Sequence, residues 1–461
     1  MSWFTHHISL FLFLVLALSL FCGFPVAFVL GGVAILFGGI GMALDIFHPI
    51  QFFNLMPRVW GSAAANPIIV AVPMFIFMGT MLERSGVAKD LLHTLQIVTR
   101  RIPGGLAMSV TLMGTIMAAT TGIVGASVVM LTMIALPSMM ERGYAKELAV
   151  GTIASAGTLG ILIPPSIMLV IMGDLLSVSV GALFAASILP GMMLAGLYLL
   201  YIGITSYMNP DRAPPLPDDI GPKSNLELVV LVCKSFFPPV LLITLVLGSI
   251  FGGFATPTEA AGVGCLGSIF LAWTNKKLSM KTLKDVIRLA GLTNGMVFFI
   301  FFGATLFSYV FRALGGDDLI LELLGVIGID TGWEILTFML VLTFLLGFFF
   351  DWIEITLIVL PVFAPILQGV DFGPHIGDGG PVVFLTWFVV MLSVNLQTSF
   401  LTPPFGFTLF YMKGTVPPSI NMAHIYRGII PFVLLQLTGL GLIIAFPQIV
   451  LWLPRASGFL M

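Results

Sequence analysis

The sequence predicts an all-α polytopic membrane protein made of two inverted repeats, each with a re-entrant helical hairpin and a broken helix. Three observations carry that prediction. Of 461 residues, 58% are hydrophobic and 9% charged, too little polarity to cover a soluble core of this size. The apolar residues fall in long runs instead of short alternating ones, which selects helices over a β-barrel. Two of these runs are also interrupted at corresponding places by a proline pair. Residues 156–173 read AGTLGILIPPSIMLVIMG and residues 395–412 read NLQTSFLTPPFGFTLFYM.

Each interruption has a direct physical consequence. A proline donates no backbone hydrogen bond, and it biases the residue before it away from the helical region. The first of these helices, entering at Glu147, is therefore expected to break over residues 158–165 and resume through 167–173. In hydrocarbon, irregular backbone survives only where protein or a wet cavity surrounds it. Paired interruptions in two halves are the sequence signature of a secondary transporter's binding site.

In chain order, the first half offers spans at 8–21, 24–43 and 68–82, with an amphipathic connector at 52–60. Residues 8–21 resemble a signal peptide in length, but no basic segment precedes them and no small-residue cleavage pattern follows, so they are taken as the first span. Two shorter runs, 104–119 and 126–139, meet at the uncharged junction TTGIVG and are marginal for a crossing of about 20 residues; they are expected to form a hairpin. The broken span 147–173 and a long span 181–207 follow. After a Pro- and Asp-rich stretch the order repeats: spans at 228–251, 258–273 and 289–311, a hairpin from 331–349 and 353–367, a broken span 382–412 and a last span 429–453. Five full spans per half is an odd number, so the two repeats must face opposite ways.

Charge distribution tests the orientation independently. With the N-terminus outside, fifteen of the nineteen Lys and Arg fall on the inner face, and only Arg58, Arg312 and Arg455 lie outside. Lys234, in the first turns of a span, snorkels to the inner face in this arrangement. That asymmetry follows the positive-inside rule. Cys22, Cys233 and Cys265 all sit in apolar spans and are taken as small hydrophobes, with no disulfide expected. The six histidines lack metal-ligand spacing, no metal other than sodium is expected, and the absence of a phosphate-binding glycine loop excludes nucleotide hydrolysis by this chain.

Hairpin tips and helix breaks present backbone carbonyls at membrane depth, and these suit a hard cation such as sodium. The candidate first cage is Val124 and Ser127 at the tip with Gly160, Ile163 and Pro165 at the break. Aligning the proline pairs places Gly160 on Ser399, Ile163 on Thr402 and Pro165 on Pro404, and with Phe348 and Asp351 of the second hairpin these form the second cage. Gly122, Gly125, Thr158, Gln397 and Thr398 are candidate substrate contacts. Asp351 and Glu354 are carboxylates inside an apolar hairpin, where an ionisable group is a functional candidate; Asp351 is either a sodium or proton-coupling ligand or a cap of the second hairpin arm. Glu259, in the first turn after Thr256-Pro257, is expected to cap its helix. Arg58 beside Trp60 is expected to snorkel to the headgroups, with capture of an anion as the other role.

The run TTGIVGASVVMLTMIALPSMMERGYAKELAVGTIASAGTLGILIPPSI, with GGFATPTEAAGVG and NLQTSFLTPPFGFTLF, resembles the large membrane subunit of tripartite ATP-independent periplasmic (TRAP) transporters over nearly the whole chain. The resemblance implies an elevator-type ion-transporter fold, sodium as coupling ion and no other cofactor, and a location in the bacterial inner membrane. It also implies a small four-helix membrane subunit, a periplasmic binding protein that delivers an organic acid, and no nucleic-acid partner or enzymatic activity. The first sodium site falls on the five residues of the first cage. Many members carry a Gly-Ser-Ser hairpin tip where this chain has Gly122-Ile123-Val124, and that variant is similar to the branch associated with mannitol, chloroaromatic acids and 2-oxo acids. On this basis residues 1–83 form the first scaffold unit and 84–208 an arm, hairpin 1, a broken helix and a span. Residues 209–224 form a cytoplasmic linker, 225–312 the second scaffold unit, and 313–461 the second arm, hairpin 2, broken helix and last span. The alternative is a self-sufficient ion-coupled organic-anion symporter. An intramembrane enzyme would need clustered Asp, Glu or His at one depth, which the sequence does not contain.

Overall fold

A chain this apolar has to satisfy its backbone hydrogen bonds within each segment, and it folds as helices, with no strand among the described residues. The computed structural model describes residues 7–122, 124–217, 221–222, 224–329, 331–370, 372–377, 380–403 and 406–460. The first half contains α1 (Ile8–Phe21), α2 (Val26–Ala43), two short helices α3 (Pro49–Phe53) and α4 (Leu55–Val59), a π-helical turn Trp60–Ala64, α5 (Ala71–Arg84) and α6 (Val87–Val98). It continues with α7 (Gly105–Thr121), α8 (Val124–Glu141), α9 (Lys146–Thr158), α10 (Ile167–Leu176) and α11 (Val180–Met208). The second half contains α12 (Asn225–Phe251), α13 (Pro257–Thr274), α14 (Met280–Ala313), α15 (Gly316–Ile327), α16 (Gly332–Leu346) and α17 (Trp352–Gln368). It ends with α18 (Gly380–Leu401), α19 (Phe407–Thr415), α20 (Met422–Ala445) and α21 (Gln448–Ala456). Among the described helices, seven are long and apolar enough to cross a membrane: α2, α8, α11, α12 (from Leu226), α14, α18 and α20.

The halves are interleaved. The second span of each packs on the third span of the other, α2 on α14 and α13 on α5. The first part of each broken helix packs on the last span of the other half, α9 on α20 and α18 on α11, and the second parts pack on the other half's hairpin, α10 on α17 and α19 on α8. Glycines bring these crossings close, as small residues do where helices meet in membranes. A Cβ on Gly151 would stand 2.1 Å from the Gly428 carbonyl oxygen, and one on Gly303 would stand 2.6 Å from the Ala27 oxygen. Neither half can bury its own faces without the other.

The enclosed centre consists of the two broken helices. Every residue from Leu148 to Thr158 and from Val383 to Leu401 is buried, whereas α12 is largely exposed along its length. Three expectations are revised. The last span does not run on to residue 453: α20 ends at Ala445 and a separate α21 starts after Pro447, because that proline drives Phe446 out of the helical region (φ −127°, ψ 78°). The third span of the second half is not confined to 289–311. It is one 34-residue helix beginning at Met280, capped by Ser279, whose hydroxyl accepts from the Thr282 N–H at 3.0 Å, so its polar N-terminal turns continue the apolar helix. Helices α1 and α5 have 14 residues each, about 21 Å at 1.5 Å per residue, and are shorter than full crossings.

Candidate functional site

The first break follows from its prolines. Pro164 and Pro165 have no N–H for the carbonyls of Gly160 and Ile161, their helical acceptors. The chain tightens into a 3-10 turn, Leu159–Ile161, in which the N–H groups of Leu162 and Ile163 both donate to the Leu159 oxygen at 3.0 Å. The Ser166 hydroxyl donates to the Ile161 oxygen at 2.6 Å and caps α10 by accepting from Leu169 N–H at 3.5 Å. Pro164 therefore leaves the Gly160 carbonyl without its helical donor. The segment is buried apart from the half-buried Ile163, which packs against Gly191 of α11.

Hairpin 1 brings its tip to this break. Gly122 is left-handed (φ +60°) and approaches Ile167, the first residue of α10, so closely that a Cβ would stand 2.7 Å from its Cδ1. One turn into the second arm, Val128 fills the notch left by Gly157, 2.4 Å from where a Cβ would be. Both arms also touch the 3-10 turn. Val124 and Ser127 of the tip are buried, on the arm that touches the 3-10 turn containing Gly160. Gly125 abuts the Tyr411 ring of α19, so the same tip meets both broken helices. Ile123 lies outside the described residues.

At the second break, Thr402 N–H donates to the Ser399 oxygen at 3.0 Å and the Thr402 hydroxyl to the Thr398 oxygen at 2.8 Å. Pro404 lies outside the described residues. Ser399 donates to the Phe344 carbonyl and fits against Gly347, while Asn395 Nδ2 donates to the Leu340 oxygen (2.8 Å) and the Thr343 hydroxyl (3.0 Å). These contacts join α18 to the first arm of hairpin 2 one residue from Phe348. Asp351 is the N-cap of α17: its Oδ1 accepts from Trp352 N–H at 2.8 Å, and its own N–H donates to Glu354 Oε2 at 3.3 Å. The capping role of Asp351 is thus present in the geometry. Glu259 closes the same kind of box with Thr256, accepting from its N–H and its hydroxyl at 2.8 Å.

The candidate substrate contacts Thr158 and Gln397, aligned positions in the two halves, are connected through the last spans. Gln436 of α20 donates through Nε2 to the Tyr198 hydroxyl of α11 at 2.8 Å and lies 3.4 Å from the Thr158 hydroxyl, and Gln397 Nε2 donates to the same Tyr198 oxygen at 3.3 Å. All four side chains are fully buried, and neither glutamine's Oε1 has a hydrogen-bond partner among the described residues. Thr398 donates to the Val394 oxygen at 2.8 Å, also within the core. Tyr198 and Gln436 were not singled out from the sequence, although an amide in mid-span is the kind of polar residue that marks a functional or packing centre.

A buried irregular break beside one hairpin, and a second helix interruption after Leu401 beside the other, fit a helical membrane transporter, and the comparisons agree. The chain belongs to the family described as the tripartite ATP-independent periplasmic transporter, DctM component, which it matches over residues 13–449. It is 28% identical over 470 residues to the C4-dicarboxylate TRAP transporter large permease protein DctM of Vibrio cholerae, covering 96% of each chain. It is also 28% identical over 445 residues to the ectoine/5-hydroxyectoine TRAP transporter large permease protein UehC of Ruegeria pomeroyi, covering 96% of this chain and 97% of that one. The crystal structure of the Alcanivorax borkumensis YdaH transporter shares the fold, with a TM-score of 0.62 at 14% identity over 89% of each chain. The chain is a component of a multi-span transporter and not an enzyme.

Proposed function

We propose that this chain is the membrane pathway of a sodium-coupled importer that carries a small organic acid across the bacterial inner membrane by an elevator movement. The N-terminus faces the periplasm, a periplasmic binding protein delivers the acid, and a small four-helix subunit widens the scaffold. The observation that carries this reading is the first break, where Pro164 strips the Gly160 carbonyl of its helical donor inside a buried setting beside a hairpin tip. Oxygens of that kind are the ligands sodium accepts. Val124, Ser127, Gly160, Ile163 and Pro165 form one cation site. Phe348, Asp351, Ser399, Thr402 and Pro404 form the other, and the acid sits between Gly122, Gly125, Thr158, Gln397 and Thr398. The relatives named for C4-dicarboxylates and ectoine support a carboxylate as cargo.

The moving part comprises the hairpins, the broken helices and the spans α11 and α20, and α1–α5 and α12–α14 are the frame. Two sodium ions entering with one monocarboxylate carry net positive charge, so the membrane potential assists by about 2.3 kcal/mol per charge per 100 mV. Uptake into vesicles by the assembled system is expected to require sodium and to slow on depolarisation. Ser127→Ala and Asp351→Asn are each expected to raise the half-saturating sodium concentration, by about tenfold if one ligand contributes about 1.4 kcal/mol. Equal uptake in potassium medium would contradict sodium coupling.

A further inference from the structure

Two clefts lie on the seam between the proposed frame and the proposed moving part, and each is lined by cations. The first, about 380 Å³, has Arg58, Ser62, Thr305, Tyr309 and Arg312 on the frame side and Asp174 on the other. The Arg58 guanidinium lies over the Tyr309 ring, 5.2 Å from its centroid, an arrangement that holds the charge in the cleft. Arg312 reaches across the seam to the Pro361 carbonyl of α17 and stands 3.7 Å from Asp317. Asp174 is engaged by Asn66 Nδ2 at 2.7 Å. The second cleft, about 450 Å³, has Glu83, Arg84, Lys89 and Lys277 on one wall and Met130 and Met133 of α8 on the other. The stem of Lys277 passes over Gly86, with Cε 3.5 Å from where a Cβ would be.

The two clefts are counterparts. Arg84 and Arg312 each stand in the last turn of the third span of their half. Each is followed by a left-handed glycine, Gly86 (φ 81°) or Gly315 (φ 78°), that turns the chain into α6 or α15. Each faces the second arm of a hairpin, α8 or α17. Among the lining residues basic ones outnumber acidic ones in both, two to one around Arg58, with Asp317 beside Arg312 outside the lining, and three to one around Lys277. Frame cations of this kind attract an anion on either side of a barrier, and a guanidinium fork matches a carboxylate.

We propose that these clefts are paired carboxylate sites for the transported acid, one for entry and one for exit: Arg58 and Arg312 receive it on the periplasmic side, and Arg84, Lys89 and Lys277 hold it on the cytoplasmic side. This inference rests on the transport reading above and adds where the acid waits on each side. The shared chemistry, an oxyanion on a guanidinium, also fits a lipid phosphate.

The test uses the complete transporter in oriented vesicles of phosphatidylcholine alone or with phosphatidylglycerol, and two readouts separate this inference from the transport reading. The first is modification of Arg58 and Arg312 by phenylglyoxal, followed by mass spectrometry, with succinate and pyruvate as probes against chloride at equal ionic strength. Protection by an acid in both lipid mixtures supports the sites even if sodium-driven uptake fails. Absence of protection by either acid, or protection that appears only with phosphatidylglycerol, overturns them. The second readout is directional kinetics. Arg58→Gln and Arg312→Gln are expected to raise the half-saturating concentration for uptake roughly fivefold, equivalent to about 1 kcal/mol, with the maximal rate of uptake and the half-saturating concentration for efflux unchanged and the maximal rate of efflux lowered in the same proportion, as a fixed driving force requires. Arg84→Gln and Lys277→Gln are expected to raise the half-saturating concentration for efflux and to leave that for uptake unchanged. Equal effects of all four variants on both directions would also overturn the proposal.

Discussion

Gly151→Ala is expected to lower the melting temperature of the purified protein by several degrees, whereas Gly196→Ala in α11 leaves it unchanged or raises it. Both substitutions exchange glycine for the best helix former, worth up to about 1 kcal/mol in an open helix. The surroundings decide the sign. At Gly196 a Cβ meets nothing within 4 Å, but at Gly151 it meets the Gly428 carbonyl oxygen at 2.1 Å and the Phe432 ring at 2.9 Å. The obstacle is backbone, so α9 and α20 have to move apart, and overpacking of this kind costs about 1–3 kcal/mol or more. Gly428 makes the reciprocal approach, 2.2 Å from the Glu147 oxygen. Loosening this crossing therefore separates the first broken helix from the other half's last span. Equal melting of the two variants would show that the crossing is not close.

Tyr198→Phe is expected to destabilise the protein by about 1–3 kcal/mol, the cost of leaving a buried donor unpaired. The lost hydroxyl accepts from Gln436 at 2.8 Å and from Gln397 at 3.3 Å. The Thr158 hydroxyl remains to Gln436, at 3.4 Å, whereas Gln397 Nε2 keeps no other partner among the described residues. Gln436→Leu is expected to cost a similar amount, and the double variant less than the sum, because residues in one hydrogen-bond network do not add. Strict additivity in chemical or thermal unfolding would show that the three side chains do not act together.

These two cases mark where the sequence stopped being informative, and the breaks mark where it was informative. Pro164-Pro165 and Pro403-Pro404 act on the backbone locally, so both breaks were legible, down to the resumption of α10 at Ile167. The tip of hairpin 1 was legible as well, since TTGIVG contains the left-handed glycine and no charge. Partner choice was not legible. That α9 packs on α20, and α19 on α8, depends on which glycine faces which backbone oxygen across hundreds of residues. Tyr198 and Gln436 stayed hidden for the same reason, each being one polar residue in an apolar span until the fold brings them together. Arg58 was visible as a lone cation, but the Tyr309 ring and Arg312 that give it a cleft come from α14. The end of α20 was misplaced because Pro447 falls inside an apolar run that hydropathy alone treats as continuous.

The most direct test of sodium-driven transport by a three-part system is reconstitution in liposomes under an inward sodium gradient, adding the partners one at a time. Accumulation of a labelled organic acid is expected only when this chain, the small membrane subunit and the binding protein loaded with the acid are all present, and it is expected to stop when the gradient is collapsed. If this chain alone concentrates a carboxylate in the vesicles, or if accumulation persists without sodium, the tripartite sodium-coupled mechanism is contradicted and a self-sufficient symporter takes its place.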